Sequence, residues 1–100
     1  RNLPNGPTPG TWVGMLPLDQ DEPAPMFGQS VVYVLFDASN VPAYVGSTEG
    51  FRARMKAHMR EKPGLVRWLA HGCADRESAY LMEDRLLKQH KPYLNRKQGR

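Results

Sequence analysis

Residues 31–46, with the sequence VVYVLFDASNVPAYVG, decide the fold that we predict for this chain. Residues 31–36 are an uninterrupted run of β-branched, aromatic and other apolar side chains, which is typical of a buried strand. Residues 37–40 supply Asp, Ser and Asn, which favour a turn. Residues 41–46 then read as a second strand, so the whole stretch predicts an antiparallel β-hairpin.

A helix is predicted directly after the hairpin. Thr48 can act as its N-cap, and Phe51, Met55 and Met59 recur on one face at helical spacing. The pair Pro63-Gly64 ends the helix, because proline interrupts helical hydrogen bonding and glycine favours a turn.

The chain beyond this turn predicts one more strand and one long helix. Residues 65–70 form a short apolar run that ends before Gly72, and a strand is favoured over a short helix. Asp75 can cap a helix that ends at or before His90, because Pro92 disfavours helical conformation at the preceding residue. The order β-β-α-β-α indicates an α+β domain, with a small three-stranded antiparallel sheet flanked by helices.

The length of 100 residues allows one small domain. Residues 1–28 hold most of the nine prolines and show no sustained periodicity, which predicts an arm or linker. Its one apolar cluster, around Trp12, either packs on the domain or belongs to an element of a longer parent chain. The domain is therefore assigned to residues 29–96, and a basic tail to residues 97–100.

Composition argues against a membrane or disulfide-stabilised protein. The longest apolar run is residues 31–36, far short of the roughly 20 residues that a membrane helix needs. Cys73 is the only cysteine, so no internal disulfide can form. The N-terminal residues also lack the apolar stretch of a signal peptide. We expect a cytoplasmic protein, trimmed or excised from a longer chain and joined there to further domains.

Charge is divided unevenly along the chain. Residues 1–50 carry one basic and five acidic residues, a net charge of −4, whereas residues 51–100 carry thirteen basic and five acidic residues, a net charge of +8. A basic half on a small domain is typical of a protein that binds a polyanion such as a nucleic acid. The alternative interpretation is a solvated helix surface.

Both predicted helices carry polar residues on their core-facing stripes. Glu83 falls among the apolar positions of the second helix, and Arg54 and His58 fall on the inner side of the first. A charge that faces a core is unfavourable unless it is paired or binds something. One interpretation is a structural Arg54–Glu83 ion pair beside an interior histidine. The other is a functional site in which the three residues meet Tyr33 and Tyr44 of the strands.

These positions resemble the signature of the GIY-YIG nucleases over residues 31–95 of the chain. The matching segments are Val31-Val32-Tyr33, Tyr44-Val45-Gly46, Phe51-x-x-Arg54-x-x-x-His58, Ala79-x-x-x-Glu83-x-x-Leu86-Leu87 and Lys91-Pro92-Tyr93-Leu94-Asn95. Ten residues separate the first two segments, a normal spacing for the family. The sequence departs from the family at Val31-Val32, where Gly and Ile are usual.

The resemblance implies a GIY-YIG-like fold and a metal-dependent endonuclease that hydrolyses DNA phosphodiester bonds. It implies that Tyr33 or Tyr44 deprotonates or orients the attacking water, and Tyr33 is favoured. Arg54 is expected to stabilise the phosphate in the transition state, because its guanidinium is always charged and can donate two parallel hydrogen bonds. His58 is expected to relay the proton or to brace the phosphate.

Glu83 is the expected metal ligand, because it is the one carboxylate on an inward stripe. A single carboxylate with waters and substrate oxygens suits Mg²⁺, and Mn²⁺ is the other candidate. Zinc is not expected, because the histidines and Cys73 lack the paired spacing of structural zinc sites.

Three further residues are expected to bind substrate. Ser47 stands where several members of the family carry lysine, so Lys56 is a candidate for the missing basic group. Lys91 and Asn95 lie in the terminal motif, and Asn95 either contacts the phosphate backbone or has a structural capping role. Two alternatives to the endonuclease remain: an inactive nucleic-acid-binding module of the same fold, and a protein-interaction domain with a buried ion pair.

Overall fold

The computed structural model describes residues 10–95, so residues 1–9 of the predicted arm and the predicted basic tail at 97–100 lie outside the described residues. The described chain forms four strands and two helices. In chain order these are β1 (Thr11–Met15), β2 (Val31–Asp37), β3 (Pro42–Thr48), α1 (Phe51–Glu61), β4 (Leu65–Gly72) and α2 (Arg76–His90).

β2 and β3 form the hairpin that the sequence predicts. The side chain of Asp37 organises the turn, because its Oδ1 accepts hydrogen bonds from the backbone N–H groups of Ser39 at 2.9 Å and Val41 at 3.0 Å. Asn40 adopts a left-handed conformation with φ of 65°, which asparagine tolerates better than most residues.

All four strands belong to one antiparallel sheet in the order β1-β4-β2-β3. The preference for a strand at residues 65–70 is therefore confirmed. β2 is an inner strand with apolar contacts on both faces: Tyr33 and Leu35 belong to one core, and Val32 and Val34 belong to another. A strand covered on both faces needs apolar residues at every position, which explains the unbroken apolar run.

β1 corrects the prediction of a three-stranded sheet. It lies in the segment predicted as an arm, and it pairs with β4 from Thr11, opposite His71, to Met15, opposite Arg67. Gly14 interrupts the short apolar run, and the partner strand lies about 60 residues further along the chain, so the local sequence does not mark this segment as a strand. Gly14 lies opposite Trp68, whose indole ring occupies the space that a side chain at position 14 would need.

The two helices contribute to different apolar cores. α1 contributes Phe51 and Met55 to the core that contains Trp68. α2 contributes Ala79 to the core that contains Val34. Among residues 10–95, no helix has both the length and the apolar character needed to cross a membrane.

The predicted N-cap residue is correct for α2 and wrong for α1. Asp75 caps α2 as predicted, with its Oδ1 accepting a hydrogen bond from the backbone N–H of Ser78 at 2.8 Å. The predicted cap at Thr48 is wrong: Gly50 is the N-cap of α1, with no side-chain cap hydrogen bond. Thr48 is still paired within β3, and its Oγ1 accepts from the Gly50 N–H at 3.0 Å.

Candidate active site

Tyr33 and Tyr44 lie on neighbouring strands and belong to the same side of the sheet. Tyr33 is opposite Gly46 in the pairing of β2 with β3, and Tyr44 is opposite Leu35 two positions away. The two rings are stacked, with their centroids 6.2 Å apart. Tyr33 is only 2% exposed, whereas Tyr44 is partly exposed. Strand register therefore brings the two predicted tyrosines together.

Gly46 makes room for the Tyr33 phenol. A Cβ atom at position 46 would lie 2.6 Å from Tyr33 Oη and 2.8 Å from its Cζ, which is closer than real Cβ contacts allow. Sterics therefore explain why the Tyr44-Val45-Gly46 motif ends in glycine: the Tyr33 phenol of the neighbouring strand occupies the space that a side chain would need.

His58 of α1 completes a buried polar cluster with the tyrosines. Its Nε2 is 2.7 Å from Tyr33 Oη, a hydrogen-bond distance, and its ring centroid is 4.8 Å from that of Tyr44. The side chain is 3% exposed, as its position on the core-facing stripe predicts. Its Nδ1 is buried and has no hydrogen-bond partner in the described chain.

Burial changes the acidity of the two phenols. It raises the pKa of Tyr33 far above the usual value, and Tyr44 and Glu83 add to the increase while Arg54 opposes it. Burial also raises the pKa of Tyr44. Both phenols are therefore neutral at pH 7, so neither is a resting phenolate base.

Burial acts on His58 in the opposite sense. Burial, followed by the nearby cations Lys62 and Arg54, lowers the pKa of the imidazole to about 4. The imidazole is therefore neutral at pH 7 and keeps one nitrogen that can accept a proton. When that nitrogen is Nε2, the Tyr33 hydroxyl donates its hydrogen bond to it.

Glu83 of α2 is held by Ser47 of β3. The Ser47 hydroxyl donates a hydrogen bond to Glu83 Oε1 at 2.8 Å. Residues 10–95 contain no ion pair between Arg54 and Glu83, so the structural interpretation of these two charges is wrong. Both charges nevertheless act on the pKa of Tyr33, which places them within electrostatic range of its phenol.

A cavity of about 280 Å³ is lined by Ser47, which binds Glu83, and by Arg54, but not by Tyr33, Tyr44, His58 or Glu83 themselves. Ser47 and Thr48 of β3, Arg54 of α1, and Arg76 and Tyr80 of α2 line it. Arg54 is exposed, and it lines this cavity rather than the apolar core that its stripe predicts. Within residues 10–95 its guanidinium has no carboxylate partner, so it is accessible to an anion.

Arg76 and Tyr80 were not among the residues that the sequence analysis selected. They share one face of α2 with Ala79 and Glu83, because residues three, four and seven positions apart lie on the same side of a helix. Arg76 lies in the first turn of α2, where a cation opposes the helix dipole, and its guanidinium donates a hydrogen bond to Tyr80 Oη at 3.1 Å.

Asn95 has a structural role in the described chain. Its Oδ1 accepts from the backbone N–H of Val45, and its Nδ2 donates to the carbonyl of Val45, both at 2.9 Å. β3 is an edge strand, and this side-chain amide satisfies both backbone groups of one residue on its open side. These contacts are structural, but they support an edge strand and do not cap the end of α2.

The two predicted substrate lysines lie outside the cavity. Lys56 is exposed and lines separate clefts with Leu18 and Arg52, on the side of α1 that faces the β1–β2 connection. Lys91 adopts a left-handed conformation with φ of 48° at the end of α2 and lies near Asn95. Neither lysine is brought to the tyrosine cluster.

Comparison with known proteins adds no family assignment. The chain matches no model of a known protein family, and a search of curated proteins finds no significant relative. Its function is therefore inferred from side-chain geometry and motif resemblance alone.

Glu83 is the residue that could hold a divalent metal. Within residues 10–95, no group of three or more His, Cys, Asp or Glu side chains is arranged to bind an ion. A metal at Glu83 would therefore have one protein carboxylate, with waters and phosphate oxygens as its other ligands, which Mg²⁺ accepts. The Ser47 hydrogen bond fixes the carboxylate in the way that second-shell donors support metal ligands.

Proposed function

We propose that this chain is a metal-dependent endonuclease domain of the GIY-YIG type that hydrolyses DNA phosphodiester bonds. The observation that carries the proposal is the buried, hydrogen-bonded pair of Tyr33 and His58. The charge of Arg54, which lines the cavity, acts on the pKa of both residues. A purely structural tyrosine–histidine pair would not need an unpaired arginine and a serine-bound carboxylate within its electrostatic range.

In the proposed reaction, Tyr33 and His58 handle the proton of the attacking water. The water donates a hydrogen bond to Tyr33 Oη, and the Tyr33 hydroxyl donates to Nε2 of neutral His58. As the water attacks phosphorus, its proton passes to Tyr33 Oη while the phenolic proton passes to His58. The tyrosine thereby never has to rest as a phenolate, which agrees with its raised pKa.

Arginine side chains stabilise the charge that develops on the phosphate. Arg54 can donate two parallel hydrogen bonds to non-bridging oxygens, and Arg76 provides a second cation from the other helix. Removal of one such donor from an active site typically lowers the rate by roughly 10²- to 10³-fold.

Glu83 would hold Mg²⁺ or Mn²⁺. The ion, when bound, supplies Lewis-acid stabilisation of phosphate oxygens and of the departing oxyanion. Ser47 orients the carboxylate and also lines the cavity, so it links the metal ligand to the space where a phosphate would bind.

The test is a plasmid-nicking assay with Mg²⁺, Mn²⁺ or EDTA, combined with a DNA-binding assay. Glu83→Gln is expected to abolish nicking and to retain DNA binding, because the variant loses metal affinity but keeps an acceptor for Ser47. Asp84→Asn is the matched control: Asp84 is the next residue of α2, exposed and paired with Lys88 at 3.1 Å. This variant should nick DNA normally.

Two results would contradict the proposal. Nicking by Glu83→Gln at the wild-type rate would remove Glu83 from the site. Salt-sensitive DNA binding by a wild-type protein that never nicks DNA would instead support the inactive nucleic-acid-binding module.

A further inference from the structure

We infer that Phe27 stacks on an unpaired nucleobase next to the phosphate in the cavity, so that the preferred substrate is DNA with unpaired bases. This inference rests on the proposed nuclease function and specifies its substrate class. It arises from an exposed aromatic side chain that the catalytic cluster does not use.

Phe27 is presented at the tip of a hydrogen-bonded turn. The ring is 92% exposed, and the neighbouring Met26 is 70% exposed. The Gln29 N–H donates to the Met26 carbonyl at 3.0 Å, and Gly28 has φ of 94°, the combination found in turns that need glycine at the third position. Isolated apolar side chains on a surface are ordinary, but Phe27 differs because a hydrogen-bonded turn fixes its position.

The turn is fixed to the wall of the cavity. The Gly28 N–H donates to the Glu49 carbonyl at 2.7 Å, and Phe27 Cε1 would lie 3.7 Å from a Cβ atom at Gly50. Glu49 lines the cavity, and its carboxylate accepts a hydrogen bond from the buried Ser30 hydroxyl at 2.9 Å. Phe27 is therefore held at the rim, beside the start of α1.

The chemistry of the rim favours a nucleobase over an apolar protein partner. Arg54 and Arg76 line the same cavity, and Tyr80 adds a second exposed ring, with its Oη 3.1 Å from an Arg76 nitrogen. Cations that contact phosphates, combined with exposed rings that stack on bases, are typical of surfaces that bind single-stranded nucleic acid. Bases inside a duplex are already stacked, so Phe27 can engage only bases that are unpaired.

The inference is tested by binding of short fluorescent DNA oligonucleotides in EDTA, in single-stranded and in duplex form. Phe27→Ala is expected to weaken single-strand binding by roughly 5- to 100-fold and duplex binding much less. Phe27→Trp should retain the affinity, whereas Phe27→Leu should lose it, because leucine is apolar but has no ring to stack. Val41→Ala, which removes an exposed apolar side chain at the far end of the hairpin, is the control and should bind normally.

The outcomes separate this inference from the proposed function. If Phe27→Ala or Phe27→Leu binds single strands as tightly as the wild type while Arg54→Ala binds weakly, stacking is overturned and the nuclease proposal stands. If the wild-type protein binds neither DNA form, both are overturned. A 2-aminopurine base whose fluorescence is quenched by the wild type but not by Phe27→Ala would support stacking directly.

Discussion

At the Tyr33 hydroxyl, three neighbouring residues determine the chemistry. Gly46 leaves the space that the phenol occupies, His58 Nε2 lies at hydrogen-bond distance, and Arg54 opposes the rise in the phenol pKa that burial causes. Because the phenol and the imidazole are both neutral at pH 7, their hydrogen bond places no charge in the core. In the proposed reaction a charge forms there only when a proton is transferred to His58.

The Tyr33→Phe substitution tests this pair. Cleavage should slow by roughly 10²-fold or more, because the proton path is lost. The free energy of unfolding should fall by about 1–3 kcal/mol, because neither ring nitrogen of buried His58 would retain a partner. Tyr44→Phe is the comparison: its hydroxyl makes no hydrogen bond within the described chain, so its stability should change little. A Tyr33→Phe variant that cleaves DNA at the wild-type rate would show that the phenol is structural.

Gly46→Ala should displace Tyr33 and so lower both stability and activity. The added methyl group overlaps the Tyr33 phenol, so the tyrosine or β3 must shift. Overpacking of this kind typically costs about 1–3 kcal/mol. Urea unfolding measures the stability, and a nicking assay measures the activity lost through displacement of Tyr33. An alanine variant that is as stable as the wild type would contradict the close approach.

The free energy of unfolding should depend on pH because of His58. Its pKa is about 4 in the folded chain and near 6.5 when unfolded, so the unfolded state binds the proton first as pH falls. The contribution is complete above pH 6.5 and is lost as pH falls from 6.5 towards 4, with a slope approaching about 1.4 kcal/mol per pH unit. His71, whose pKa burial also lowers, acts in the same direction. Urea unfolding of His71→Gln between pH 7 and 5 isolates the His58 contribution, because Asp37 and Asp75, whose pKa values are lowered by hydrogen bonds, titrate only at lower pH. A flat profile would contradict it.

At the scale of secondary structure, the open edge of β3 is supported by a side chain from beyond α2. Asn95 bonds to both backbone groups of Val45, next to Tyr44 and Gly46. The segment after α2 therefore helps to hold β3, the strand that carries Tyr44 and Gly46, in position.

Asn95→Ala separates this structural role from a role in phosphate binding. The free energy of unfolding should fall by about 1–3 kcal/mol, because two backbone groups lose their partner, while DNA affinity at low temperature should stay close to that of the wild type. Tyr93→Phe, which removes only an exposed hydrogen bond to Asp37, should cost much less. Weakened DNA binding without a loss of stability would instead favour phosphate contact.

Local patterns predicted the elements whose partners are close in sequence. The β2–β3 hairpin and the Asp75-capped helix follow from turn residues, capping and periodicity within short windows. β1 could not be predicted in this way, because its strand character depends on pairing with β4 and on the ring of Trp68 opposite Gly14.

Local sequence patterns also predicted only part of the candidate site. Periodicity found the unusual polar residues His58 and Glu83, but helical position alone could not show that Arg54 faces a cavity rather than a partner. The contribution of Arg76 depends on how α2 lies against β3, which no local pattern records. The backbone partners of Asn95 likewise depend on how the chain folds back onto an edge strand.

For the whole molecule, the division of charge between the two halves of the sequence predicts salt-sensitive DNA binding. The logarithm of the affinity should fall with the logarithm of the salt concentration, with a slope of about −0.9 per duplex phosphate contacted. Arg76→Ala should reduce the magnitude of that slope by about 1. Arg85→Ala, on the opposite face of α2, is the matched control and should leave the slope unchanged. A salt-independent affinity would contradict nucleic acid as the partner.

The position of β1 in the sheet also orders the events of folding. β2 and β3 are adjacent in sequence and can pair early, whereas β1 has no partner until β4 has been synthesised about 60 residues later. Closing so long a loop has an entropic cost that the completed β2–β4 pairing helps to offset. During synthesis β1 is thus expected to stay unpaired after the β2–β3 hairpin has formed, and it joins the sheet only once β4 is in place.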